Sequence, residues 1–196
     1  MRKISLLIAV FLLTAIPTLA QEAPTVEVFG GYSYFSSDIR LDNPFDDDED
    51  DFFDQREGLH GVGFSIAGNF HPNVGIVADL SYNKREIDIP FAPDLDSSKF
   101  TFLFGPRFTY RGGAVDVFGH TLVGGVRSKF EDFDSVTDFA LGLGGGVDIK
   151  AGDNFAIRVA QIDYIPQRTE DIFTDDSEWI HNVRFQIGAV FRWGNR

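Results

Sequence analysis

The chain has 196 residues, with 30 acidic against 17 basic, no cysteine and a net charge of −13. Without cysteine, disulfides and thiolate metal sites are excluded. The acidic balance argues against nucleic acid as a partner, because phosphate binding wants the opposite sign.

Arg2 and Lys3 open the chain, Ile4 to Leu13 is an uncharged apolar run, and Ile16 to Ala20 ends in small residues at Thr18 and Ala20. This pattern predicts a cleaved secretory signal over residues 1–20. The apolar run is too short for a membrane-spanning helix, which needs ~20 residues. Residues 21–196 remain as one domain, more acidic still once Arg2 and Lys3 are gone.

From there the chain alternates with a period of two, the signature of strands whose side chains point to opposite faces. Val26 to Tyr34 sets Val26, Val28, Tyr32 and Tyr34 against Glu27, Gly31 and Ser33. His60 to Phe70 sets Val62, Phe64, Ile66 and Phe70 against Gly61, Gly63, Ser65 and Asn69. Val74 to Asn83 sets Ile76, Ala78, Leu80 and Tyr82 against Gly75, Asp79, Ser81 and Asn83. Lys99 to Arg111 is the cleanest, with Phe100, Phe102, Phe104, Phe108 and Tyr110 opposite Lys99, Thr101, Arg107, Thr109 and Arg111. Val115 to Arg127 is apolar or glycine on both phases, and its faces stay unassigned. Asp138 to Lys150 sets Phe139, Leu141, Leu143, Val147 and Ile149 against Asp138, Gly142, Gly144, Gly146, Asp148 and Lys150. In Phe155 to Ile165 the phase slips, from Arg158 to Gln161 and Asp163, which predicts a β-bulge near Ala160. Val183 to Trp193 is apolar at every odd position and carries Arg184, Gln186, Gly188 and Arg192 between.

The connections alternate in length. Phe70 to Asn73, Gly112-Gly113 and Ala151 to Asn154 are tight and rich in turn residues. Phe35 to Leu59, Lys84 to Ser98, Ser128 to Thr137 and Pro166 to Glu178 are long, and they hold most of the 30 acidic residues. Short turns on one side and long loops on the other are the asymmetry of an outer-membrane barrel. Aromatics also sort by height. Phe70, Phe108, Tyr110, Phe155, Phe191 and Trp193 fall beside the short turns; Tyr32, Tyr34, Tyr82, Phe100, Phe139 and Tyr164 fall toward the long links. Membrane interfaces select two such belts. The expected fold is therefore all-β: an eight-stranded antiparallel up-and-down transmembrane β-barrel, grease outward and arginines inward.

Four segments carry a family resemblance: Val26-Glu27-Val28-Phe29-Gly30-Gly31-Tyr32-Ser33-Tyr34, Phe104-Gly105-Pro106-Arg107-Phe108, Ile157-Arg158-Val159, and Val183 to Trp193. With them the chain resembles the small outer-membrane β-barrel proteins of Gram-negative-type bacteria, of the porin-family or opacity-like kind. It also resembles the membrane domain of outer-membrane protein A without its periplasmic domain. The last segment resembles the C-terminal signal by which such barrels are recognised for assembly. It departs in having Gly194-Asn195-Arg196 after the aromatic. The resemblance implies eight antiparallel strands, an outer-membrane location and no catalytic residues.

Three groups of residues could carry chemistry. Glu27, Asp79 and Asp148 share the inward phase with Lys99, Arg107, Arg158, Arg184 and Arg192. Buried charges must pair, and an eight-stranded bore is only just wide enough for its own side chains. A salt-bridge plug is therefore expected rather than an ion path. The inward glycines Gly142, Gly144 and Gly146 are expected to leave room for long arginines. In the first long link, Asp46, Asp48, Asp50, Asp54 and Glu57 have the oxygen spacing of an EF-hand loop, but the required glycine is Asp51. Weak Ca²⁺ or Mg²⁺ binding at Asp46, Asp48 and Asp50 is the most that such a run supports. Among the histidines, His60, His71, His120 and His181, none lies in a local nucleophile or metal motif. A serine or carboxylate beside His120 or His181 would favour a barrel enzyme.

The reading is a non-enzymatic, monomeric outer-membrane barrel without cofactor. It contacts membrane lipids and displays acidic loops with a structural or surface-interaction role. A narrow porin-like channel, a barrel enzyme and a soluble lipocalin-like carrier are the alternatives.

Overall fold

The computed structural model describes residues 23–38, 56–87, 95–130, 135–170 and 177–195. The signal assigned to residues 1–20 and the cation candidates Asp46, Asp48 and Asp50 lie outside them. Eight strands follow in order: β1 (Pro24–Asp38), β2 (Arg56–His71), β3 (Val74–Ile87), β4 (Leu95–Arg111), β5 (Val115–Phe130), β6 (Val136–Lys150), β7 (Phe155–Glu170) and β8 (Ser177–Asn195). Each pairs antiparallel with the next, and β8 returns to β1, with Glu27 opposite Arg192 and Tyr32 opposite Ile187. The sheet closes into an eight-stranded antiparallel barrel, so every strand edge is paired and none is left to aggregate.

The strands run further toward the long links than the apolar phase does. β8 begins at Ser177 rather than Val183, and β7 continues through Pro166 to Glu170. A membrane strand alternates only where one face meets lipid. Above that height both faces are wet, and pairing continues without a hydrophobic signature.

At the opposite rim the hairpins are tight and stitched to one another. The Gly112 N–H donates to Val115 O at 2.9 Å, and a Cβ on Gly112 would sit 2.3 Å from that same oxygen. Lys150 N donates to Ala114 O and Arg192 N to Asn154 O, each at 2.9 Å. β7 holds one extra residue between Arg158 and Gln161 against both neighbours. The inward residues change from Ala156 and Arg158 to Gln161, Asp163 and Ile165 there, so the bulge lies where the phase slip in the sequence requires it.

β5 resolves into two faces: Asp116, Phe118, His120, Leu122 and Val126 are buried, while Val115, Val117 and Val123 are exposed. Both faces are apolar because the upper interior is apolar too. Phe35, Leu59, Ala67, Val77, Leu103, Leu122, Val126, Ala140 and Ile165 form one buried cluster drawn from seven of the eight strands.

Candidate functional site

Inward-facing side chains fill the bore in layers. The lowest layer is charged. Glu27 on β1 accepts from Arg107 Nη2 and Arg111 Nη2, both at 2.7 Å. Asp116 lies 3.0 Å from Arg192 Nη1 and 3.4 Å from Arg111 Nη1, with Lys150 Nζ 3.3 Å away at the rim. Asp148 accepts from Arg158 Nε at 2.8 Å and lies 3.5 Å from Arg192. Asn69 donates to Glu27 Oε1 at 2.8 Å and to the Pro24 carbonyl, and Arg111 Nε donates to Pro72 O at 2.7 Å. The charged layer is thus tied to the short turns.

Two aromatic rings sit inside this layer. The Arg158 guanidinium lies 4.4 Å from the Phe29 ring centre and 4.3 Å from that of Phe118, and Arg107 lies 4.8 Å from Phe118. Guanidinium faces stack well on aromatic faces, so Phe118 is held between two arginines. Sequence phase placed neither ring, because it assigns aromatics to lipid.

A second charged layer surrounds Arg184. Its Nη2 lies 2.7 Å from Asp79 Oδ1 and 2.7 Å from Asp163 Oδ2, and its Nη1 donates to Ser81 Oγ. His120 Nε2 is 2.7 Å from Asp163 Oδ1. Gln161 joins the layers: its Oε1 accepts from Arg158 at 2.7 Å and its Nε2 donates to Asp163 at 2.8 Å. The lower layer sets Glu27, Asp116 and Asp148 against four guanidinia, and the upper sets Asp79 and Asp163 against one. With the part-exposed Lys150 at the rim left out, five carboxylates meet five guanidinia, which is what burial of ions demands.

All eight residues of the expected interior cluster are buried, but not all are in one network. Lys99 stands apart near the long links, where its Nζ donates to Ser37 Oγ at 2.8 Å and lies 5.3 Å from the Phe35 ring centre. Arg111, Asp116, His120, Gln161 and Asp163 belong to the network and were not assigned to it from sequence. Asp163 was legible from the inward phase after the bulge, and Asp116 from its place opposite Arg111 across a two-glycine hairpin. The glycines of β6 do not make way for arginines. A Cβ on Gly144 would meet Asp163 Oδ1 at 2.1 Å, one on Gly146 would meet Phe118, and one on Gly142 would meet Leu103 and Leu122. They accommodate a carboxylate, a ring and the apolar cluster instead.

Of the neighbours that would favour a barrel enzyme, the structure brings a carboxylate, Asp163, to His120. The carboxylate beside His120 is shared with Arg184 and Gln161, and the His181 ring stacks on Tyr164 and bonds its hydroxyl through Nδ1. Among the described residues no serine or threonine hydroxyl is hydrogen-bonded to either, and no group of three potential metal ligands occurs.

The outer wall is greasy throughout its middle. Phe64, Ile66, Phe104, Leu143 and Ile162 are exposed there. Trp193, Phe191, Phe108, Tyr110 and Phe70 ring the short-turn end, and Tyr32, Tyr82, Phe100, Phe139, Tyr164 and Trp179 ring the other. Two aromatic girdles around an apolar band match the profile of a lipid bilayer.

Residues 6–196 match the family model of the outer membrane protein beta-barrel domain. No curated protein matches the chain. Among solved structures, the chain is similar to Ail, the attachment invasion locus protein of Yersinia pestis, crystallised with the heparin analogue sucrose octasulfate. That match has 17% identity over 87% of this chain and 99% of that one, with a TM-score of 0.55. Neisserial surface protein A matches with 10% identity over 88% and 100% and a TM-score of 0.62. Outer membrane protein OprG from Pseudomonas aeruginosa matches with 14% identity over 89% and 98% and a TM-score of 0.50. At such identities these likenesses show the shared barrel fold.

Proposed function

The chain belongs to the family of outer membrane protein β-barrel domains, and from that premise we propose that it is a plugged, non-enzymatic barrel acting as a structural and surface-display element. Membership implies the outer membrane of a Gram-negative bacterium as its home. The observation that carries the reading is the filled bore. Buried Arg184, braced by Asp79 and Asp163, lies in the same interior as an apolar cluster contributed by seven strands. Ions avoid apolar constrictions, which dewet, and a tightly paired guanidinium is not free to move aside.

The part left to meet partners is the set of long links. Their acidic composition supports cation gathering and repulsion of anions at the cell surface. Residues 1–20 would direct export and be removed. Weak Ca²⁺ or Mg²⁺ binding at Asp46, Asp48 and Asp50 would accompany display of the first link.

Planar-bilayer recording tests the reading. Purified protein should show no steady conductance while remaining folded, as judged by heat-dependent gel mobility. A stable ohmic pore would reject the plug and favour a narrow channel.

A further inference from the structure

We propose that the barrel is a tandem pair of one four-stranded unit, β1–β4 followed by β5–β8, and that Glu27, Arg111, Asp116 and Arg192 form one ring of alternating charge that latches both seams between the units. The proposal goes beyond the plugged-barrel reading, because it gives part of the lower charged layer a role in closing the sheet.

The two halves correspond residue by residue. Val26-Glu27-Val28-Phe29-Gly30 in β1 and Val115-Asp116-Val117-Phe118-Gly119 in β5 differ only in the length of the carboxylate. Gly61-Val62-Gly63 in β2 and Gly142-Leu143-Gly144 in β6 stand equally far before the turn asparagines Asn73 and Asn154. Phe102, Gly105, Phe108 and Tyr110 in β4 have the spacing of Phe185, Gly188, Phe191 and Trp193 in β8. Strand alternation explains apolar against polar, but not phenylalanine, glycine and asparagine recurring at fixed places; an internal repeat does.

Pairing follows the same correspondence. Val26 opposes Gly68 as Val115 opposes Ile149. Val62 opposes Tyr82 as Leu143 opposes Tyr164. Ile76 opposes Pro106 as Ile157 opposes Ala189. Between Ile157 and Tyr164 the second half holds one more residue than the first does between Ile76 and Tyr82, and that residue is the β7 bulge. The turn clasps recur as well. Asn73 O accepts from Thr109 N at 2.9 Å, and Asn73 Nδ2 donates to Thr109 O at 2.7 Å. Asn154 makes the same two bonds with Arg192, each at 2.9 Å.

The seams carry the ring. Arg111 opposes Asp116 across β4–β5, and Arg192 opposes Glu27 across β8–β1. Each arginine also reaches the other carboxylate across the bore. Arg111 Nη2 lies 2.7 Å from Glu27 Oε1, and Arg192 Nη1 lies 3.0 Å from Asp116 Oδ2. The remaining sides are 3.4 Å, from Arg111 Nη1 to Asp116 Oδ2, and 3.6 Å, from Arg192 Nε to Glu27 Oε2. All four side chains are buried, where charges must pair. The Arg158 guanidinium marks the two-fold centre, 4.4 Å from the Phe29 ring and 4.3 Å from that of the corresponding Phe118. The seam registers differ by two residues, since Trp193 opposes Val26 whereas Tyr110 opposes Val117. The seam arginine shifts by the same two places: Arg192 corresponds to Thr109, yet β4 carries its arginine at Arg111. The arginine keeps its place opposite the carboxylate rather than its place in the unit, which singles out this pair as what joins the units.

Exchanging the corresponding segments tests both claims, and in the whole chain it needs only Glu27→Asp together with Asp116→Glu. Each substitution alone should shift the unfolding equilibrium in lipid vesicles about tenfold toward the unfolded form, the order expected when one methylene is removed from or added to a packed interior. The exchange should be no less stable than the worse single variant, because the methylene lost at one corner of the ring is returned at the other. Independent sites would instead multiply to about a hundredfold. Arg111→Gln, read by amide hydrogen exchange, should speed exchange at the β8–β1 seam as well as at β4–β5, because the ring spans both.

A hundredfold loss in the exchanged chain would overturn the ring. Failure of the exchanged chain to fold, with both single variants folded, would overturn the correspondence of the units. Faster exchange at β4–β5 alone would overturn the latch. If Arg111→Gln itself does not fold, the exchanged chain still decides, since all four members of the ring keep their charges in it.

Discussion

Arg107 Nη2 and Glu27 Oε2 meet 2.7 Å apart inside the barrel, although β4 and β1 are not neighbours in the sheet. The contact crosses the bore, so it links strands that backbone pairing does not. Arg107→Ala would leave Glu27 with fewer counter-charges and remove one of the two guanidinia flanking Phe118. Glu27 keeps Arg111 and Asn69, so we expect a loss at or below the ~3–5 kcal/mol that orphaning one partner of a buried pair costs. Glu27→Ala should cost a similar amount. The double variant should lose clearly less than the sum, because contacting residues couple. Urea unfolding in lipid vesicles measures all three, and strict additivity would show that the two residues act independently.

Leu103 and Phe104 are adjacent in β4, yet the first is 3% and the second 54% exposed. Phe104→Arg places a charge toward lipid near mid-strand and should cost ~2–4 kcal/mol. Leu103→Ala opens a cavity in the interior apolar cluster and should cost ~2–5 kcal/mol. The two losses have different origins. Thinner bilayers should relieve only the first, by bringing residue 104 closer to an interface. Unfolding titrations in short-chain and long-chain vesicles separate them. A neutral Phe104→Arg would remove the lipid-facing assignment of β4.

The glycines of the barrel are not equivalent. A Cβ on Gly144 would lie 2.1 Å from Asp163 Oδ1 and 2.5 Å from the Ile162 carbonyl, whereas one on Gly30 meets nothing within 4 Å. Gly144→Ala must displace a carboxylate already bound by Arg184 and Gln161, and should destabilise by ~1–3 kcal/mol or more. Gly30→Ala should be neutral or slightly stabilising, since it restricts the unfolded chain without a clash. Comparable losses at the two sites would mean that the Asp163 carboxylate is not packed against β6 as described.

Strand number, order and the lipid-facing residues were legible because lipid imposes a simple rule: outward side chains are apolar and every second residue is outward. Phe100 to Tyr110 obeys that rule, and so does Val183 to Trp193. The bulge at β7 was legible because a single extra residue reverses the rule at a definable point. The interior was legible in its charges but not in its packing. Arg107 and Glu27 were expected inside because they fall on the phase opposite the apolar residues of their strands, and a charge facing lipid is costly away from the interfaces. Phe29, Phe35 and Phe118 satisfy either side equally, and only the shape of the bore selects the inside for them. β5 was unreadable for this reason: Val117 meets lipid and Leu122 meets the interior cluster. Strand ends were also hidden, because above the membrane neither face of β8 needs to be apolar.

Gln186 provides the last prediction. It is fully buried on β8, and neither its Oε1 nor its Nε2 has a hydrogen-bond partner among the described residues. Its amide packs against Gly63, where a Cβ would approach Nε2 to 2.2 Å. Opposite it across the strands are Ser33 and Gln161, but Gln161 is already engaged by Arg158 and Asp163. An unpaired buried amide costs ~1–3 kcal/mol, and an apolar side chain of similar length avoids that cost. Gln186→Met should therefore unfold at equal or higher urea concentration than the parent, by up to about 2 kcal/mol. Gln186→Ala should lose stability, because it removes volume from a filled bore. The two substitutions discriminate between the possible roles of the amide. If Gln186→Met destabilises as much as Gln186→Ala, the amide is making a polar contact that stabilises the barrel, and the interior at this height is wetter than its packing implies.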